Sequence, residues 1–308
     1  MSVSTIYDGL PSPTPITETG GLVPDLLAAI TVIDKTRTPL LHRLQKNTAK
    51  GLNHYWPYLQ RSGRGYAANV RVGGATISVN SAQAYTLYYN TCQTISQAFG
   101  LSTEMILSDW AGVPNRLEQE KTNSLSIIAM DSEDSFINGV GAAGSANVAA
   151  AMNGIQYFCA NSGNTGTTPV ATLAAATGNT AFETLAQKVW AQGREVDLML
   201  VSPANKPSVN AWTGPGITKF HEMANETLPA YTAVYEADWG VIRIETHQNM
   251  PDTYIYVASE KDLHISYFEK PTQEKLGKTF DGEGWDLRCR VTLQFDNPKG
   301  CGALTLTT

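Results

Sequence analysis

The stretch from residue 285 to residue 296 alternates strictly between apolar and polar side chains, and it constrains the fold more than any other feature. The apolar positions are Trp285, Leu287, Cys289, Val291, Leu293 and Phe295. Successive side chains of a strand point to opposite faces of a sheet, so the pattern predicts a long strand with one buried face. Asn297-Pro298 is expected to end it.

A long helix is predicted over residues 113–138, with Pro114 in its first turn and Gly139 after its last. Its predicted apolar face contains Leu117, Leu125, Ile128, Ala129 and Phe136. Glu133 and Asp134 are expected on the solvated face. At about 1.5 Å per residue, this helix would be close to 40 Å long.

The region that follows predicts a small α/β unit. Residues 139–178 are rich in small side chains and are expected to form loops. Thr180 and Glu183 predict a capping box at the start of a helix that Gly193 ends. Leu198 to Val201 reads as a buried strand, and Ser202-Pro203 is expected to begin a helix that reaches about Trp212. Further strands are predicted at 241–246, 253–258 and 263–268.

The N-terminal part has a different character. Residues 1–20 are rich in Pro, Ser and Thr and predict an extended arm, and residues 22–46 contain two short helical patterns, the second beginning at Thr38-Pro39. Residues 53–99 are nearly uncharged and predict a long β-excursion. Its strand-like stretches are 54–60, 66–72, 75–80 and 85–95. Such an excursion has exposed edges, so we expect another surface to cover it.

Composition excludes several classes of protein. Charged residues are 16% of the chain, against a usual value of about 25%, and the net charge is −6. A basic nucleic-acid-binding surface is therefore not indicated. The sequence contains no apolar run of about 18 residues and begins without a secretory signal pattern, which predicts a cytoplasmic chain without a membrane span. The four cysteines are widely separated, so we expect free thiols.

No motif predicts catalysis, a cofactor or a metal. The string of Gly139, Gly141 and Gly144 matches a dinucleotide fingerprint, but it follows a helix instead of a strand, so a loop is the better interpretation. The five histidines lack ligand spacing, and we expect each to be a surface or hydrogen-bonded core residue. We therefore predict no catalytic residues, no cofactor and no metal site.

One basic, glycine-rich loop is a candidate contact site. It contains Arg61, Arg64 and Arg71, with Tyr66 between them. These side chains could bind phosphate and stack on bases, could pair with an acidic surface of a neighbouring subunit, or could be a solvated hairpin tip. The sequence leaves the three alternatives open.

The order of these parts resembles the Hong Kong 97-type major capsid proteins of tailed bacteriophages, and more specifically the SU-ten-like branch. The resemblance rests on short motifs: Thr38-Pro39-Leu40-Leu41, Tyr55-Trp56, Tyr267 through Lys278-Thr279, Gly282 with Gly284, and the alternating strand that ends at Asn297-Pro298. The sequence departs from it at Pro57-Tyr58-Leu59, where an acidic residue is expected.

The resemblance implies an α+β fold with four parts. Residues 1–50 would be the N-terminal arm and short helices, and residues 51–95 an extended β-hairpin loop. Residues 96–144 and 266–308 would form a peripheral domain with a long spine helix and long antiparallel strands. Residues 145–265 would form an axial α/β domain.

The implied function is that of a shell subunit. Copies would assemble into pentamers and hexamers of an icosahedral head that encloses double-stranded DNA without sequence-specific binding, in the virion, after assembly in the host bacterial cytoplasm. Portal, scaffolding and decoration proteins are possible partners. Two alternatives remain at this stage: the shell protein of a bacterial nanocompartment, and an α/β nucleotide-binding enzyme.

Overall fold

The computed structural model describes residues 38–59, 70, 73, 85–108, 115–160, 170–173, 178–210, 234–237, 240–278 and 281–306. The helices are α1 (Pro39–Arg43), α2 (Thr103–Leu107), α3 (Arg116–Asn138), α4 (Ile155–Ala160), α5 (Gly178–Ala191) and α6 (Lys206–Asn210). The strands are β1 (Gln45–Thr48), β2 (Asn53–Tyr58), β3 (Thr86–Thr91), β4 (Gln93–Ser102), β5 (Val170–Leu173), β6 (Leu198–Val201), β7 (Val234–Ala237), β8 (Gly240–Thr246), β9 (Tyr254–Ala258), β10 (Leu263–Lys275), β11 (Gly282–Phe295) and β12 (Cys301–Leu306).

The first sheet contains the alternating sequence. Its strand order is β1-β10-β11-β4, and β10 and β11 are antiparallel from Leu263↔Phe295 to Lys275↔Trp285. The apolar positions of β11 from Leu287 to Phe295 are buried, so the predicted long strand is confirmed. Thr292 is also buried, because both faces of the sheet are covered at this end. The 3₁₀ turn Pro298–Gly300 follows the strand, as Asn297-Pro298 predicted.

Helix α3 packs beside this sheet and confirms the predicted long helix, with a later start. It begins at Arg116 because the Asn115 side chain accepts a hydrogen bond from the backbone N–H of Glu118 at 3.2 Å. Ile128 and Phe136 are buried as expected, whereas Leu125 is 44% exposed. The expectation that Glu133 is solvated is wrong, since this side chain is fully buried.

The second sheet has the order β5-β12-β9-β6-β8-β7, and its central strands are buried on both faces. In β9, Tyr256 and Ala258 face the core shared with the first sheet, and Ile255 and Val257 face the core under α5. Residues 301–306 pair with β9 antiparallel and with β5 parallel. Residues 301–306 therefore lie in the same sheet as residues 198–201 and 254–258.

Two helix boundaries of the α/β unit differ from the sequence prediction. Helix α5 begins at Gly178, so Thr180 lies inside the helix and the predicted capping box is wrong. Helix α6 begins only at Lys206, after Ser202 accepts a hydrogen bond from the backbone N–H of Asn205, and its predicted end at about Trp212 lies outside the described residues. Gly193 has φ +86° after α5, which confirms it as the terminating glycine.

The glycine string after α3 forms a loop, as predicted. Ala142 pairs with Ala151, and Ser145 pairs with Val148, in two isolated antiparallel bridges. The backbone N–H of Gly154 then donates to the carbonyl of Gly139 at 2.8 Å. The loop therefore returns to the end of α3 and offers no strand-to-helix turn for a pyrophosphate.

Membrane-spanning helices and metal clusters are both absent from the described part of the chain. No helix in that part is long and apolar enough to cross a bilayer. No group of three or more His, Cys, Asp or Glu side chains within these ranges is placed to hold a metal ion. The four cysteines are buried and none of them forms a disulfide, in agreement with the expected free thiols.

Candidate subunit-contact site

Strands β2 and β3 form a two-stranded hairpin base at the start and end of the β-excursion. They pair antiparallel from Asn53↔Thr91 to Tyr58↔Thr86. The chain between them, residues 59–85, therefore leaves and returns at adjacent points. The paired strands 54–60 and 85–95 of the sequence prediction are present, but the second is divided into β3 and β4.

The inner face of this hairpin is fixed to the end of β11. The Trp56 indole is buried, and its Nε1–H donates to the carbonyl of Phe295 at 2.9 Å. His54 Nε2 contacts Oε1 of Gln294 at 2.8 Å. The Tyr58 and Tyr88 rings stack at 4.6 Å. These contacts hold the base of the excursion in one orientation on the sheet.

Asn90 uses its whole amide to connect three segments. Its Nδ2 donates to the carbonyl of Leu293 at 2.7 Å and to that of Asn153 at 3.0 Å. Its Oδ1 accepts from the backbone N–H groups of Thr91 and Asn153, each at 2.9 Å. The side chain is buried, so each of these bonds replaces one to water. The hairpin, β11 and the glycine loop are thus joined at one residue.

The opposite face of the hairpin, which we name the hairpin outer face, contains Tyr55, Pro57, Leu87 and Tyr89. Tyr55 and Tyr89 are a cross-strand pair with ring centroids 5.4 Å apart, and Leu87 is 63% exposed. Neither strand contains a Lys, Arg, Asp or Glu residue. A contiguous, exposed and uncharged aromatic surface of this kind is typical of a protein–protein contact.

A second element of the site joins the end of the arm to the body of the protein. Thr38 precedes α1, and its side chain makes no capping hydrogen bond. The Glu133 carboxylate takes this role, since it accepts from the backbone N–H groups of Leu40 at 2.7 Å and Leu41 at 2.9 Å. A residue of α3 therefore caps α1 across a tertiary contact.

His247 completes the surroundings of Glu133. Its Nε2 lies 2.9 Å from Glu133 Oε1, and both side chains are buried. The backbone N–H of Asn249 donates to Nδ1 of His247 at 3.1 Å, so Nε2 is the ring nitrogen that donates to Glu133. Glu133 then accepts three hydrogen bonds, which offset the cost of burying its charge. His247 is a hydrogen-bonded core residue, as expected for the histidines.

Arg43, at the end of α1, forms a second connection between α1 and the body of the protein. Its guanidinium binds Glu260 with both carboxylate oxygens, at 3.1 and 2.7 Å, and lies 3.6 Å from Glu245. Burial lowers the pKa of Lys206 to about 8, and the negative charge of Glu245 opposes this effect only in part. Burial has the opposite effect on a carboxyl group and raises the pKa of Asp262, against the opposing charge of Arg194. The ion pairs of Arg43 connect α1 to Glu245 of the second sheet and to Glu260.

The four residues predicted as subunit contacts, Arg61, Arg64, Tyr66 and Arg71, lie outside the described residues. They belong to the segment that connects β2 to β3. The hairpin outer face was not among the predicted contact residues, although the alternation of Tyr85, Leu87 and Tyr89 in the sequence indicates one shared face. The Glu133 junction was not predicted either, because the local sequence contains no signal for it.

Comparison with solved structures identifies the class of fold. A chain from Microbacterium phage Oxtober96 superimposes with a TM-score of 0.63 at 10% identity, covering 93% of this chain and 96% of that one. The capsid structure of the cyanophage P-SCSP1u gives 0.62 at 11% identity, with 98% and 100% covered. The capsid of a native GTA particle gives 0.64 at 12% identity, with 93% and 96% covered. The predicted α+β fold of the Hong Kong 97 type is confirmed.

The chain belongs to the SU10 major capsid protein family, whose profile matches residues 12–308. It is therefore a major capsid protein, a structural subunit of a phage head shell, found in the virion. A search of curated protein sequences found no match. The family match favours neither the nanocompartment shell protein nor the nucleotide-binding enzyme.

Proposed function

We propose that copies of this subunit form pentamers and hexamers that close into an icosahedral head around double-stranded DNA. In this proposal the excursion carried by β2 and β3 lies over a neighbouring subunit. Head-to-tail contacts of this kind generate a closed ring when the rotation between subunits fits. Many such contacts per shell reinforce each other, so each one needs only modest affinity.

The hairpin outer face is the observation that supports this proposal. Trp56 and Asn90 fix the inner face to the body, whereas Tyr55, Leu87 and Tyr89 remain exposed in the single subunit. Rigid aromatic side chains lose little conformational entropy on binding and are enriched at interfaces. A second copy of the chain is the partner that a shell supplies at this position.

The loop residues Arg61, Arg64, Tyr66 and Arg71 extend the same contact in the proposal. The subunit has 28 acidic and 22 basic residues, so a neighbouring surface of net negative charge is available to these arginines. Charge pairs at the rim of an interface mainly set orientation and association rate. The four parts at 1–50, 51–95, 96–144 with 266–308, and 145–265 remain the proposed domain division.

The proposed relation to the genome is containment without tight binding. The net charge of −6 disfavours extensive cation–phosphate contact. Assembly is proposed in the host bacterial cytoplasm, with portal, scaffolding and decoration proteins as partners and with no catalytic role. A steep fall in DNA affinity with rising salt, measured on purified subunits, would contradict this part of the proposal.

Electron microscopy and sedimentation of the purified protein test the assembly itself. We expect closed shells, or rings of five and six subunits that convert to shells. Leu87→Asp places a charge on the hairpin outer face and should leave folded, unassembled subunits. Thr86→Asp is the matched control, because it adds the same charge one residue away on the other face and should still assemble. If the Leu87→Asp variant formed shells in the same yield as the natural protein, this result would contradict the proposed contact.

A further inference from the structure

An open groove of about 690 Å³ lies beside α3, at the point where the described chain begins. We name it the α3 groove. Its apolar lining comes from α1, α3 and β10 and includes Leu41, Leu125, Ile128, Ala129, Tyr267 and Pro271. Leu125 belongs to the apolar pattern of α3, yet no described residue covers its exposed part. The groove thus has the composition of a binding surface for an apolar segment.

The chain itself provides a segment that ends at this groove. Thr38 is the first described residue of the chain, precedes α1 and lines the groove. The preceding segment, residues 1–37, is therefore joined to the described chain at one border of the groove. Residues 34–37 span at most about 14 Å, which is enough to return a preceding segment along the groove. A helix over residues 22–33 would be about 18 Å long.

The sequence of that segment fits the lining. Val23, Leu26, Leu27 and Ile30 recur at the spacing of one helix face. This face is apolar and has the length of about two helical turns. It can therefore pack against the exposed side of Leu125.

Charge favours the same occupant. The only charged side chain of residues 22–33 is the carboxylate of Asp25. The rim of the groove contains His42, Lys46 and Lys270, and none of the described residues that line it is acidic. A carboxylate and a basic rim attract each other at short range.

We propose that residues 22–33 bind in the α3 groove of their own subunit, with their apolar face on Leu125 and the carboxylate of Asp25 toward Lys46 and Lys270. Residues 1–21 are then directed away from a fixed point on the subunit and remain available for a neighbour. This inference concerns one subunit and does not depend on the proposed pentamers, hexamers or hairpin contact.

A pair of introduced cysteines tests the position. In the purified full-length protein, Leu26→Cys with Leu125→Cys should form a disulfide within one chain under mild oxidation, seen as a faster-migrating monomer and a linked peptide. The control pair is Leu26→Cys with Val148→Cys, since Val148 is 55% exposed and lies in the loop that follows the C-terminal end of α3. We expect at least about tenfold faster formation for the groove pair, as for groups held at high effective concentration.

The charge part is tested in the same assay. Lys46 and Lys270 are exposed, so Lys46→Glu with Lys270→Glu should fold normally while slowing disulfide formation about threefold or more. Adding Asp25→Lys to that protein should restore part of the rate. Disulfide-linked dimers would show that a neighbour's segment occupies the groove and would overturn the proposal. A rate equal to that of the Val148 control would overturn it as well.

Discussion

Glu133 and His247 lie 114 positions apart in the chain, yet Oε1 of the glutamate and Nε2 of the histidine are 2.9 Å apart in the protein interior. The same carboxylate caps α1 through the backbone of Leu40 and Leu41. One side chain therefore joins the end of the arm, the long helix and the strand end before Asn249. This junction fixes the position of α1 against α3, where the described chain begins.

Glu133→Gln should destabilise the subunit by about 1–3 kcal/mol. The amide keeps the shape but has one acceptor oxygen, so at least one of the three donors loses its bond inside the protein. Chemical denaturation of unassembled subunits measures the change. Glu118→Gln on the same helix is the control, because that side chain is 62% exposed and its pair with Lys121 is worth at most about 0.5 kcal/mol. Equal effects for the two variants would contradict the role of the buried junction.

Trp56→Phe should loosen the base of the excursion. The variant keeps an aromatic ring but loses the Nε1–H that donates to Phe295, at a cost of about 1–2 kcal/mol. Hydrogen exchange should accelerate in residues 53–58 and 86–91 more than in β10 or β11. Tyr55→Phe changes one exposed polar atom on the same strand and should have no measurable effect. Uniform acceleration across the protein would show that Trp56 acts only through global stability.

Gly154→Ala should be strongly destabilising. An added Cβ would lie 2.7 Å from the backbone nitrogen of Gly139 and 2.8 Å from the carbonyl oxygen of Ile137, and neither atom can move without displacing the end of α3. We expect a loss of about 1–3 kcal/mol, measured as a lower midpoint of thermal unfolding. Gly277→Ala is the control, since no atom of the described residues lies within 4 Å of its added Cβ. An unchanged midpoint for Gly154→Ala would contradict the close packing of this loop.

The burial of Lys206 should make the free energy of unfolding depend on pH. Burial lowers its pKa in the folded state to about 8, from an ordinary value of 10.5. Between these values the unfolded chain binds more protons than the folded one, so this residue makes the protein more stable as pH rises from about 8 to 10.5. The full change is at most about 3 kcal/mol.

Lys206→Met removes this contribution. The free energy of unfolding of the natural protein, relative to the variant, should therefore increase between pH 7 and pH 10.5. Lys278→Met is the control, because the side chain of Lys278 is 72% exposed and its removal should leave no such trend. Urea denaturation at both pH values measures the difference, and a constant difference for Lys206→Met would exclude this account of its burial.

The sequence predicted those elements whose pattern is set by one buried face. The alternation from Leu287 to Phe295 identified β11 because a strand in that position must place every second side chain in the core. The helix around Ile128 and Phe136 was identified for the same reason at helical spacing. The fold follows largely from these two patterns and from the order of the parts.

Features that depend on distant contacts could not be predicted in this way. Glu133 looks like other helix carboxylates, and its partner Leu40 is 93 positions away, so the local sequence gives no reason to bury it. Thr180 matched a capping motif, but the helix begins at Gly178. The hairpin outer face required the register of β2 and β3, which places Tyr55 opposite Tyr89.

A reconstruction of the assembled shell at side-chain resolution tests the central claim most directly. We predict closed shells in which a neighbouring subunit covers Tyr55, Leu87 and Tyr89, with Trp56 still bonded to Phe295 of its own subunit. Closed shells in which these three side chains face solvent would contradict the proposed contact. A protein that stays monomeric across salt and concentration, with no shells to reconstruct, would contradict its self-assembly.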